Sequence, residues 1–311
     1  MTENQSRVPP FPGSPVAGFR SGFAALIGRP GVGKSTLVNR LVGQKIAITA
    51  AVPQITRSRL SGILTLPHAQ IVFVDTPGLH RPRHRLGEWM VEQATRALRD
   101  ADAVLVVLDA TDGATPEDRA VIARLGGIRA PVIAVLNKID RIPANEVATV
   151  EATLAGLHAF AGVVPVSGLT GANLDGLIQM VTTLLPEGPQ YFPPEMVTDQ
   201  PEQFLVRELV REAAIKMTRE EVPYSIAVEI EEFGRREGKG LIYVRAILHV
   251  ERDAHKKMLI GKEGRMLKAI GRRARLDVEA LLQSRVYLDL WVKTSKGWRE
   301  REELIKAFYP E

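Results

Sequence analysis

The run Gly28-Arg29-Pro30-Gly31-Val32-Gly33-Lys34-Ser35 constrains this chain more than any other stretch. It has the spacing G-x-x-x-x-G-K-S/T, follows an apolar run from Phe23 to Ile27, and opens a helical pattern from Lys34 to Leu41. Strand, glycine loop and helix in that order make a phosphate cradle. Glycines let the backbone turn so tightly that successive N–H groups converge on phosphate oxygens, and the helix N-terminus adds partial positive charge. Gly28, Gly31 and Gly33 shape the loop, Lys34 reaches the outer phosphates, the Ser35 hydroxyl takes a place on Mg²⁺, and Thr36 follows in the first helical turn.

Such a loop belongs to a parallel sheet, and the chain supplies one. Ile71 to Val74, Ala103 to Leu108, Val132 to Leu136 and Val163 to Val166 are short apolar runs suited to strands buried on both faces. Helical patterns lie between them, around Glu88 to Arg99, Glu117 to Leu125, Asn145 to His158 and Leu174 to Leu184. The alternation predicts an α/β domain, a mostly parallel sheet with helices on both faces, over residues 23–185. Residues 1–22 read as a disordered lead-in with no signal-peptide core. The proline-rich stretch 186–201 reads as a linker. Residues 202–311 form a second, α+β domain: a helix from Glu202 to Met217, strands Tyr224 to Glu232 and Leu241 to Val250, a helix–loop–helix unit from Ala254 to Leu282, a strand Val286 to Val292 and a last helix from Arg299 to Ala307. A length of 311 residues suits two domains.

Two further strand ends carry chemistry. Asp75-Thr76-Pro77-Gly78 places a carboxylate where it can hold the Mg²⁺ hydration shell and a glycine amide where it can sense a third phosphate. In Asn137-Lys138-Ile139-Asp140, the Asp140 carboxylate can accept two hydrogen bonds from guanine. Adenine lacks that donor pair, and an unpaired carboxylate discriminates strongly against it. Lys138 lays its stem on the base and Asn137 ties this loop to the phosphate loop. Ser167, Gly168 and Leu169 complete the base pocket with backbone amides.

The absence of cysteine excludes disulfides and thiolate chemistry and fits a reducing compartment. No run approaches the length of a membrane span, so a soluble, cytoplasmic protein is expected, with peripheral contact at a membrane surface left open. Between Arg252 and Arg275, nine basic residues stand against two acidic ones, a net of +7 in one short stretch. That concentration points to a polyanionic partner. It brackets Ile260-Gly261-Lys262-Glu263-Gly264, a G-x-x-G loop between two helices that Met258, Ile260, Leu267, Ile270 and Leu276 are expected to hold together. This pattern resembles a KH domain, whose loop clamps the backbone of single-stranded RNA. Ile260, Gly261, Lys262, Glu263, Gly264, Arg265, Lys268 and Arg272 are the expected RNA contacts. Tyr287, Trp291 and Trp89 read as packing residues rather than recognition residues.

The order and spacing of these motifs resemble the translation-factor-related branch of P-loop GTPases, and within it the Era family of ribosome-assembly GTPases. The resemblance runs from Phe23 to Phe308 and implies a type II KH domain at the C-terminus. It places a switch-one box at Pro53-Gln54-Ile55-Thr56-Arg57, with Thr56 joining the Mg²⁺ set of Ser35 and Asp75 in the GTP state. It makes Lys34, Thr56 and Gly78 the catalytic set, GTP and GDP the substrate and product, and the 3′ end of 16S rRNA in the assembling small subunit the partner of a monomeric protein. Gly31 stands where the family usually has a potassium-binding asparagine, so potassium stimulation is not expected. Leu79 follows Gly78 where many GTPases place a water-orienting glutamine, so slow intrinsic hydrolysis is expected. Arg57, Arg59, His80 and Arg81 read as surface switch residues. Two other readings stay open: a membrane-linked GTPase whose basic domain binds anionic lipid, and an RNA-binding module with a structural nucleotide.

Overall fold

A computed structural model describes residues 18–236 and 240–310. The first domain comprises β1 (Arg20–Ile27), α1 (Lys34–Val42), β2 (Leu60–Leu66), β3 (Ala69–Asp75), α2 (Arg85–Arg99), β4 (Ala103–Asp109), α3 (Pro116–Ile122), β5 (Val132–Asn137), α4 (Ala144–Ala155), β6 (Gly162–Pro165) and α5 (Leu174–Leu184). Its sheet has the order β2-β3-β1-β4-β5-β6, with only the β2–β3 pair antiparallel. β3, β4 and β5 are buried along their whole length. Alternate residues feed two cores: Leu105, Val107, Ile133 and Val135 pack against α1 and α5, while Val104, Val106, Ala134 and Leu136 pack against α2, α3 and α4. This is the expected mostly parallel sheet with helices on both faces.

Two local expectations are corrected, and one strand is added. β1 begins at Arg20, so Arg20 to Gly22 belong to the sheet rather than to the lead-in; residues 1–17 lie outside the described residues. β2, at the edge of the sheet, carries no apolar run, because Ser61, Gly62 and Thr65 interrupt it, and so has no strand signal in the sequence. The stretch 186–201 contains no helix, as expected of a linker, yet it is strapped to the first domain. The buried Gln70 side chain accepts from the amides of Tyr191 and Phe192 and donates to the Phe192 carbonyl, and the Ile63 amide donates to Val197.

The second domain comprises α6 (Glu202–Lys216), α7 (Val222–Ser225), β7 (Ala227–Arg236), β8 (Leu241–Val250), α8 (Asp253–Ile260), α9 (Arg265–Leu282), β9 (Arg285–Thr294) and α10 (Glu302–Phe308). Tyr224, expected in a strand, instead sits in the short helix α7. Three strands pair in the order β7-β8-β9, the first pair antiparallel and the second parallel. α6, α8 and α9 cover one face through Val210, Ala214, Leu259, Ile270 and Ala274. The other face is covered at one end, where Phe308 of α10 lies 4.4 Å from the buried His249 ring and Ala227 is buried, and is open along β9. Val286, Leu288 and Leu290 of β9 turn to the helices, so Tyr287 and Trp291, one residue out of step, turn away and are 59% and 60% exposed. They are not the core residues the sequence suggested. Met258 and Leu276 are also exposed and do not join α8 to α9; Ile270 does that from within the core. Trp89 does pack as expected, 5.7 Å from the ring of Tyr309.

Candidate nucleotide site and nucleic-acid groove

The loop from Gly28 to Gly33 lies between β1 and α1 and turns through left-handed conformations at Gly31 (φ 87°) and Gly33 (φ 97°). A Cβ at Gly33 would meet the Asn137 amide nitrogen at 2.5 Å, so both conformation and space demand glycine there. Lys34 is buried, and its ammonium donates to the carbonyls of Gly28 (3.0 Å) and Arg29 (3.1 Å). Burial pushes its pKa down to about 8. Gly78 sits against Pro30, close enough that a Cβ would meet it at 2.8 Å, and the Leu79 amide donates to Gly28. The Leu79 side chain is buried in the core beneath α2 and faces away from the loop.

Ser35, Thr56 and Asp75 converge from three segments. The Ser35 hydroxyl donates to one oxygen of Asp75 at 2.6 Å and lies 2.9 Å from the Thr56 hydroxyl. The other Asp75 oxygen is buried with no partner among the described residues. Burial pushes the Asp75 carboxyl up to about 6. An orphaned carboxylate oxygen beside two hydroxyls is the hard-oxygen donor set that Mg²⁺ takes, and the residues present fit that ion. Thr36 and the segment Thr49 to Thr56 wall the same cavity of about 370 Å³.

Asn137 is buried and joins three loops: its amide donates to the Val32 carbonyl (2.8 Å) and accepts from the Gly168 amide (2.9 Å). The Gly168 amide is thereby engaged and cannot line the base pocket as expected. Asp140 is exposed and accepts from the Ser167 hydroxyl on one oxygen, with no partner on the other among the described residues. Leu169 is 67% exposed, its carbonyl held by Arg40. Lys138 donates to Gly31 (2.7 Å) and to Asp109 (2.5 Å). Asp109 was not singled out in the sequence. Burial opposes its charge, but hydrogen bonds from Lys138 and Thr111 outweigh that and hold its carboxyl below the usual range. Its signal was there: like Asp75, it ends an apolar strand, and in register it stands opposite Asn137.

Arg57 departs most from expectation. It is 3% exposed rather than on the surface, and its guanidinium enters the second domain, donating to the carbonyls of Ile226 (2.6 Å) and Tyr224 (2.9 Å) and to the Tyr309 hydroxyl (2.6 Å). The rest of the segment also reaches that domain. Arg211 of α6 donates to the Ile55 carbonyl (2.6 Å), and Glu212 accepts from the Thr49 amide (3.0 Å).

In the second domain, α8 and α9 meet at the loop Gly261 to Gly264. Gly261 (φ 70°) admits no side chain, since a Cβ would lie 2.7 Å from that of Met266. Glu263 adopts φ 54° and pairs with Arg265 at 3.0 Å, so its charge is partly spent beside the loop. From Gly264 a groove of about 490 Å³ runs between α9 and the edge of β9, floored by Leu267, Leu288 and Leu290. Lys268, Arg272 and Arg275 line it, exposed and without an acidic partner among the described residues. Lys262 projects from the loop itself. Apolar floor and cationic rim suit stacked bases joined by phosphates.

Comparison with known proteins gives this pairing of sites a family. A family model of 50S ribosome-binding GTPases matches residues 23–138, and a KH domain model matches 221–299. GTPase Era from Halothermothrix orenii is 49% identical over 288 residues, spanning 93% of this chain and 97% of the relative. This chain belongs to the Era family of GTPases. Era from Geotalea daltonii is 45% identical over the same 93% of the chain. Era solved with MgGDPNP and nucleotides 1506–1542 of 16S ribosomal RNA superposes with a TM-score of 0.90 at 41% identity, covering 93% of this chain and 98% of that one. An Aquifex aeolicus Era variant bound to GDP and AlF₄⁻ superposes with a TM-score of 0.89. The Era architecture, a P-loop GTPase domain followed by a KH domain, is thus the architecture of this chain. Among its described residues no helix is long and apolar enough to cross a membrane.

Proposed function

We propose that this Era-family GTPase is a Mg²⁺-dependent switch whose KH groove takes the single-stranded 3′ end of small-subunit rRNA during assembly of the small ribosomal subunit. The observation that carries the nucleotide reading is the Ser35–Thr56–Asp75 cluster with its buried carboxylate oxygen, unpartnered among the described residues. Loop amides and Lys34 bind the phosphates, and Ser35, Thr56 and Asp75 hold Mg²⁺, which when bound neutralises charge on the transferred phosphoryl group. Lys34 exchanges two carbonyls for phosphate oxygens, which favour its charged form. Gly78 offers its amide to the third phosphate, and Asp140 reads guanine with the oxygen that Ser167 does not occupy. Lys138, steered by Asp109, flanks the base. Leu79 leaves the attacking water without a side-chain partner, so intrinsic turnover is slow.

The RNA reading rests on the groove's cations, which have no acidic partner among the described residues, and on the solved Era complex with 16S rRNA. Ile260 to Arg265 clamp the backbone, and Lys268 and Arg272 carry phosphate contacts. The setting is the cytoplasm and the working unit a monomer. Binding of a short rRNA 3′-end oligonucleotide, with GDP and with a non-hydrolysable GTP analogue at two salt concentrations, tests the switch. Different affinities in the two nucleotide states, both lost in Gly261→Asp, are expected. Equal binding in both states, matched by anionic vesicles, would transfer the basic surface to a membrane role.

A further inference from the structure

Thr56 stands between two anchors in the other domain. On one side the Ile55 carbonyl accepts from Arg211, which is itself fully buried against Glu208. On the other, Arg57 lies in a receptor made of the Tyr224 and Ile226 carbonyls at the end of α7, the Tyr309 hydroxyl, and the faces of Trp298 and Tyr309 at 5.4 and 5.7 Å from its guanidinium carbon. The two neighbouring side chains point apart: Thr56 toward Ser35, Arg57 toward the KH domain. A buried guanidinium without its acceptors is strongly unfavourable, so the receptor decides where residue 57, and with it Thr56, can sit. The same geometry excludes Arg57 as a group acting on the phosphates, because its charge is spent in the other domain. Tyr309 and α6 both lie outside the matched KH segment of 221–299.

We infer that Arg57 is a positioning residue that holds Thr56 over the phosphate loop, and that α6 and the C-terminal Tyr309 serve the nucleotide site rather than RNA. This rests on the reading of Thr56 as a Mg²⁺ ligand. Tyr309→Phe removes one hydroxyl and keeps both ring faces. In the full chain it should lower kcat for GTP about tenfold, the effect of one hydrogen bond to a charged group, and raise the Mg²⁺ concentration at half-maximal rate. KM for GTP, GDP affinity and rRNA oligonucleotide affinity in the GDP state should stay at wild-type values. In a Trp89→Phe, Trp291→Phe background Trp298 is the one tryptophan left, and the difference between its GDP and GTP-analogue emission spectra, excited at the red edge where tyrosine does not absorb, should shrink in Tyr309→Phe. Arg57→Lys should reproduce the kcat and Mg²⁺ effects. Wild-type kcat and Mg²⁺ requirement in Tyr309→Phe, with Thr56→Ala impaired, would overturn the inference. Wild-type behaviour in Thr56→Ala would instead remove the metal assignment beneath it.

Discussion

Two glycine loops in this protein lead into helices and offer themselves to phosphate, yet they are built in opposite ways. The loop at Gly28 to Ser35 is enclosed. Lys34 is buried, Asn137 fastens it from β5, Gly78 presses on Pro30, and switch one closes over it. The loop at Gly261 to Gly264 is open, with Lys262 in solvent and an exposed Glu263–Arg265 pair beside it. Enclosure makes each interaction strong and each misfit expensive, because neither charge nor polar group can fall back on water. Openness leaves affinity to the count of cations near the backbone, which salt screens. One loop suits a small ligand held in a defined pose, the other a flexible polymer engaged along its length.

The sharpest way to break this contrast is to crowd the closed loop. Gly33→Ala forces a Cβ against Asn137 at a residue with φ 97°, and GTP affinity should fall by about 10³ or more. RNA binding in the absence of nucleotide should persist; its loss would mean the two loops share stability. Next in size, raising salt from 50 to 200 mM should weaken RNA binding by roughly 50-fold if about four phosphates are contacted, and Lys268→Ala with Arg272→Ala should flatten that slope. GTP affinity should change far less over the same range. Equal salt slopes for both ligands would erase the distinction.

A smaller effect concerns pH. Burial raises the Asp75 carboxyl to about 6, and the metal requires it deprotonated. Mg²⁺-supported GTP binding should therefore be constant above about pH 7 and weaken as pH falls through 6, approaching tenfold per unit below it. Asp75→Asn should remove that dependence together with most Mg²⁺ affinity. Least of all, exchanging sodium for potassium should leave hydrolysis unchanged within about twofold, since Gly31 has no side chain to ligate it. Several-fold stimulation would show that another group binds the ion.

Most of the nucleotide site was legible because its chemistry is local. A strand end, a glycine spacing and a helix start lie within a few residues, and each motif carries its own geometry. Asp109 ends an apolar strand as Asp75 does, but no recognised motif follows it; its role comes from standing opposite Asn137 across β4 and β5 and from the hydrogen bond it accepts from Lys138. Tyr287 and Trp291 were misassigned for a related reason. An alternating strand shows two faces, but which face meets helices is set by packing with α8 and α9. β2 was overlooked because an edge strand needs hydrogen bonds to β3 more than apolar content.

Arg57 marks the boundary between the two kinds of knowledge. From the amino acids alone come the phosphate loop, the guanine-reading motif, the order of two domains and a basic G-x-x-G unit, since each depends on contacts between near neighbours along the chain. The burial of Arg57 depends on partners 167 to 252 positions away, none of which marks itself as an acceptor in the sequence. Backbone carbonyls are present at every residue. Only the docking of α7 and the C-terminal segment against switch one selects two of them, adds a tyrosine hydroxyl, and makes a receptor for one guanidinium.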